Sequence, residues 1–162
     1  MRRFIVSSAN EIISGIKKAR ERFNREISVI TITSMRFVDF SEVLNEITNL
    51  IGLMFDDVEK DDDVNGLYAI TDLQANDIIR FVKRTSNNAI IFVRCDGGVS
   101  RSAGVCAALR ILEGWTDSGI FASRKYCPNW KCYTSVLRAG GVNRFDDSKL
   151  ELNKKIFSRR LL

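Results

Sequence analysis

A cysteine and an arginine stand at the ends of a short glycine-containing segment, Cys95-Asp96-Gly97-Gly98-Val99-Ser100-Arg101, with Ser102 directly after it. A thiolate is a nucleophile. An arginine presents a planar fork of N–H donors that grips two oxygens of a tetrahedral anion. Gly97 and Gly98 permit the dihedrals and the close approach that a backbone cradle needs, and Ser102 can bring a hydroxyl near the cysteine sulfur. A cysteine at the base of such a cradle sits in positive potential, which favours the thiolate. The chemistry suggested is nucleophilic attack on a bound phosphoryl group.

The elements that must position this segment are legible on either side. Ala89-Ile90-Ile91-Phe92-Val93 is a continuous apolar run, the mark of a strand buried on both faces. Ser102 to Glu113 reads as a buried helix rich in Ala, Val, Leu and Ile. A loop between such a strand and helix sets backbone N–H groups at a helix N-terminus, where they converge on an anion. The chain holds its own control. Cys132 is also followed six residues later by an arginine, Arg138, but without glycine between them and without a buried strand before them. The spacing alone is weak; strand, glycines, Ser-Arg-Ser and helix together are specific.

Composition narrows the alternatives. The 162 residues contain no histidine, which excludes a Ser-His-Asp triad, a Cys-His pair and a histidine metal site. The four cysteines, Cys95, Cys106, Cys127 and Cys132, form no C-x-x-C pair, so we expect free thiols, no metal and no cofactor. The net charge of +5 favours anionic partners such as phosphoesters or nucleic acid. No apolar run approaches the ~20 residues of a membrane span, and the apolar stretch after Arg2-Arg3 is too short for a secretory signal. A single domain spanning 1–162, monomeric and cytoplasmic, is the expectation.

Along the rest of the chain, Phe4 to Ser7 reads as a first strand, and Ser8 as the cap of a helix running to about Phe23. Ile27 to Thr33 is a second strand, and 34–48 is a loop with a short helix. Asn49 to Phe55 is a third strand ending at Asp56-Asp57, followed by an acidic surface loop to Asn65. Thr71-Asp72-Leu73-Gln74 is a capping box that opens a helix to Arg84. The C-terminal third is mainly helical, with a turn at Tyr126-Cys127-Pro128-Asn129 before a helix containing Val136 and Leu137. Strands alternating with helices give an α/β three-layer sandwich around a mostly parallel sheet.

The loop resembles the signature of the protein tyrosine phosphatase superfamily, within it the small dual-specificity phosphatases of compact viral and prokaryotic type. That signature is His-Cys-x-x-Gly-x-Ser-Arg-Ser; this chain reads Arg94-Cys95-Asp96-Gly97-Gly98-Val99-Ser100-Arg101-Ser102. The resemblance implies a tyrosine phosphatase-like fold and a cysteinyl-phosphate intermediate on Cys95. It implies phosphate binding by Arg101 and the amides of Asp96, Gly97, Gly98, Val99, Ser100 and Arg101, with hydrolysis assisted by Ser102 and no metal. It also implies an aspartate acid thirty to forty residues before the cysteine, just past a strand. Asp56 and Asp57, 39 and 38 residues ahead of Cys95, both fit; Asp56 comes first off the strand. Arg94 replaces the family's histidine: turned inward it preserves positive potential, and turned outward it reaches solvent. Asp96 should face outward, since an inward carboxylate opposes phosphate. Arg36, Arg124, Lys125 and Lys131 are candidate substrate contacts. The implied substrate is a phosphotyrosine protein, with phosphoserine and phosphothreonine as further targets. An RNA 5′ end and a phosphate-binding module without turnover are the alternatives.

Overall fold

The computed structural model describes residues 1–34 and 37–158. Four strands, β1 (Arg3–Ser8), β2 (Ile27–Thr33), β3 (Asn49–Met54) and β4 (Ile90–Cys95), form one sheet in the order β1-β4-β2-β3. All three strand pairings are parallel, in keeping with the mostly parallel sheet expected. Strand β4 is flanked by a partner on each edge and buried at all six positions. That explains why its residues read as a continuous apolar run instead of an alternation.

The alternation survives in which layer each side chain meets. Ile91, Val93 and Cys95 belong to the core on one face, packed against α2 (Asp72–Arg84), α3 (Arg101–Leu112) and α5 (Trp130–Ala139). Ile90 and Phe92 belong to the core on the other face, with Ile12, Ile16 and Ala19 of α1 (Ile12–Arg22) and Val43 of the 3₁₀ helix Ser41–Glu46. Helices on both faces of the sheet make the three-layer sandwich expected. Each fully buried isoleucine in these layers contributes about 1.5–3 kcal/mol by leaving water. A single turn, α4 (Ser118–Phe121), and a longer helix, α6 (Ser148–Ser158), complete the C-terminal third.

The starts of two helices differ from expectation. Regular helix starts at Ile12 rather than beside Ser8, because Ser8 is the last residue of β1, paired with Cys95. Its hydroxyl still accepts the N–H of Glu11 at 3.2 Å, one turn ahead of the helix. The helix after the loop starts at Arg101, one residue before Ser102. The capping box is formed as read: Thr71 Oγ1 accepts the N–H of Gln74, and Gln74 Oε1 accepts that of Thr71.

All nine residues from Arg101 to Leu109 are buried. Such burial needs close packing against the segment leading into α5, and Gly104 allows it. A Cβ there would stand 2.4 Å from the Asn129 carbonyl oxygen. The site end of the sheet is therefore fixed by β1, β4, α3 and the start of α5 together.

Candidate active site

Cys95 is the last residue of β4 and 2% exposed. The loop after it is held by its carbonyls. That of Asp96 accepts the N–H of Ala9 at 3.2 Å, and that of Val99 accepts the N–H of Cys127 at 3.1 Å. The Ser100 carbonyl accepts from Gly104 at 2.9 Å and Asn129 at 3.1 Å. With the carbonyls tied to the surrounding protein, no hydrogen bond among the described residues takes the N–H groups of Asp96 to Arg101. A run of unspent donors leading into a helix N-terminus can accept an anion. Gly98 makes the loop's path over β1 feasible: its φ is +65°, and a Cβ would lie 2.6 Å from the Ser8 nitrogen.

Ser102, buried in the first turn of α3, sets its Oγ 3.1 Å from Cys95 Sγ. Arg101 is 5% exposed. Its Nη1 donates to Ser34 Oγ and to the Phe55 carbonyl, each at 2.7 Å, and its Nη2 donates to Asp96 Oδ2 at 2.7 Å. Its Nε is buried with no acceptor among the described residues. A buried charged donor without a partner is costly, and an anion taken up by the loop would supply one. Ser34 and the Phe55 carbonyl orient the fork; nothing in the sequence marks either for that task.

One side chain lies differently from expectation, and a second settles between the two orientations open to it. Asp96 turns inward, bridging Arg101 and Arg94, whose Nη1 is 3.3 Å from Asp96 Oδ1 and 2.9 Å from the Ile32 carbonyl. Arg94 is wholly buried. The physical reason is charge balance. Two guanidinium groups removed from water need a counter-charge, and Asp96 is the carboxylate that pairs with both. Burial pushes the Arg94 pKa down, and Asp96 opposes that shift. Of the two orientations open to Arg94, the inward one is adopted.

The two candidate acids also separate. Asp56 Oδ2 accepts the N–H of Tyr68 at 2.9 Å, and its own N–H donates to the Tyr68 carbonyl, so it fastens the acidic loop. Asp57 Oδ1 accepts from Ser100 Oγ at 2.7 Å and from Asn129 Nδ2 at 3.0 Å, which joins it to the Cys95 loop. Asn129 also caps α5 by accepting the N–H of Cys132 at 2.8 Å. Glu59 receives the N–H groups of Trp130 and Lys131 at 2.9 Å each. The acidic loop is thus docked on the start of α5. The Asn129 cap position before an apolar helix was the sequence signal for this dock; the link to Asp57 had none.

The second Cys-x5-Arg match lies within α5, and Cys132 is 1% exposed with its thiol pushed well up by burial. Burial pushes Cys106 up to about 12 and raises Cys127 as well. All four cysteines are free. Among the described residues no three or more Cys, Asp or Glu side chains gather to hold a metal ion. No helix among them is long and apolar enough to cross a membrane. Lys125 lies over the Tyr126 ring, 5.5 Å from its centre; Lys131 stands in the first turn of α5, and Arg36 falls outside the described residues.

Fold and site together define a parallel α/β protein whose buried central strand ends in a cysteine at the mouth of a donor-rich loop. No family model matches the chain, and no curated protein does. Three solved structures are similar to it along nearly its whole length. The Yvh1 phosphatase domain from Chaetomium thermophilum aligns over 98% of this chain and 90% of its own, at 17% identity and a TM-score of 0.46. Tk-PTP in its active form aligns over 98% and 92%, at 13% identity and a TM-score of 0.43. The Trypanosoma brucei protein tyrosine phosphatase TbPTP1 aligns over 97% and 67%, at 14% identity and a TM-score of 0.39.

Proposed function

We propose that the chain is a cysteine-dependent phosphatase that hydrolyses phosphate monoesters, phosphotyrosine proteins first among them. The Cys95 thiolate attacks phosphorus; the S–P bond forms as the ester O–P bond breaks. The amides from Asp96 to Arg101 and the Arg101 fork hold the non-bridging oxygens through the transition state. Asp57 gives the leaving oxygen its proton. Its Oδ1 is taken by Ser100 and Asn129, which leaves Oδ2 to carry that proton. In the second step Asp57 withdraws a proton from water, which attacks phosphorus. The S–P bond then breaks, and the Ser102 hydroxyl supports the departing thiolate from 3.1 Å.

One observation carries this reading: the loop offers amides and a buried Arg101 Nε that find no acceptor among the described residues, beside a cysteine. The net charge of +5 keeps an RNA 5′ end as the rival substrate. The free thiols suit a reducing cytoplasm, and a monomer suffices for the mechanism. A phosphate-release assay over phosphopeptides and 5′-phosphorylated RNA, with Cys95→Ser as control, tests the reading. Release from phosphopeptides that vanishes in the control supports it, and release confined to RNA transfers the activity to the rival substrate. No release from any substrate leaves a binding module instead of an enzyme.

A further inference from the structure

Asp96 has a carboxylate where the proposed reaction needs none. Its Oδ2 is 2.7 Å from Arg101 Nη2, a donor that would otherwise be open to a phosphate oxygen. Its Oδ1 is 3.3 Å from Nη1 of Arg94. One carboxylate is thus shared by two buried guanidinium groups, with the shorter bond on the clamp. A phosphate entering the loop brings a second negative charge against Asp96, and like charges at this range repel strongly where water is sparse. Arg94 is the group able to receive the carboxylate. It is fully buried, fastened to the Ile32 carbonyl at 2.9 Å, and already within reach of Asp96.

We propose that Asp96 and Arg94 form a latch on Arg101: Asp96 holds the clamp in the empty loop, and arriving phosphate displaces it onto Arg94. The inference rests on the reading of the loop as a phosphate site and adds a positioning role for two residues. Arg94 draws the carboxylate away from the clamp, and Asp96 competes with substrate for it. The arginine in place of the family's histidine and the aspartate two residues on therefore act as a pair. Arg94→His alone leaves Asp96 to Arg101, so it weakens phosphate uptake.

The test is calorimetric titration of the full chain with inorganic phosphate at fixed ionic strength, with an unfolding scan confirming that each variant folds. Removing one charged hydrogen-bond partner makes Asp96→Asn bind phosphate about ten-fold more tightly and Arg94→Met about ten-fold more weakly. The double variant matches Asp96→Asn, because the carboxylate whose transfer Arg94 serves is gone. If Arg94→Met fails to fold, Arg94→Lys takes its place and binds between wild type and that ten-fold loss. In turnover of an aryl phosphate, Asp96→Asn lowers KM while kcat does not rise, which a merely structural role would not produce. Unchanged or weaker phosphate uptake in Asp96→Asn, or additive effects in the double variant, overturns the latch alone. Wild-type protein that takes up no phosphate overturns the loop reading and the latch with it.

Discussion

Gly97 and Gly98 are adjacent and indistinguishable by type, yet the structure assigns them unequal burdens. At Gly98 the backbone is left-handed, φ +65°, and an added Cβ would meet Ser8 N at 2.6 Å, Ser7 C at 2.8 Å and Ser8 Cα at 2.9 Å. These are backbone atoms of β1, so no flexible side chain can move aside. The left-handed conformation costs an alanine roughly 1 kcal/mol. Overpacking against fixed backbone adds about 1–3 kcal/mol. Gly98→Ala should therefore lose about 3 kcal/mol, which for a chain of this size lowers Tm by about 6–12 °C. The loop must also lift off β1, spreading the amides, so phosphate affinity should fall by more than about ten-fold. Gly97→Ala is the control. Its Cβ would meet nothing within 4 Å, and its φ is not positive, so its effect should stay within about 0.5 kcal/mol. Thermal unfolding and phosphate titration measure both. A Gly98→Ala protein matching wild type in both, or a Gly97→Ala protein equally damaged, would refute the loop geometry.

Three further outcomes are expected. Asp57→Asn should slow alkyl phosphates by about a hundred-fold or more but activated aryl phosphates far less, because an aryl oxide leaves without protonation. Asp56→Asn should show no such dependence, and leaving-group kinetics on the two variants decide between them. Cys106 gives a pH signature: burial pushes its thiol from the ordinary 9.0 up to about 12. The folded state holds that proton more firmly, so its contribution is fully present below pH 9 and is lost as pH rises toward 12. Unfolding midpoints should fall across that window, and Cys106→Ala should flatten the fall; an identical slope in the variant would exclude Cys106 as its source.

The parts of the site readable in the sequence are those set by local chemistry. The apolar run of β4, the glycines and the helix after Arg101 each carry a signal within a few residues. The capping box at Thr71 is likewise local, and it forms as spelled. What could not be read depends on pairing between distant segments. Ser34 and the Phe55 carbonyl reach Arg101 only because β2 pairs with β4 and β3 with β2 in a parallel sheet, so that the chain leaves all three strands at the same end. Chain order put Asp56 ahead of Asp57, but the docking of the acidic loop on α5 brings Asp57 to Ser100 and leaves Asp56 with Tyr68. Repulsion from phosphate alone would turn Asp96 outward; the burial of Arg94, which calls for a neighbouring carboxylate, turns it inward.

The central claim is that phosphate passes through the sulfur of Cys95. Protein mixed with a radiolabelled aryl phosphate and quenched in acid during turnover should carry label on the peptide containing Cys95 and none on that containing Cys132. The Cys95→Ser protein should carry no label and release no phosphate. Turnover without label on Cys95, or turnover that survives in Cys95→Ser, would contradict the account.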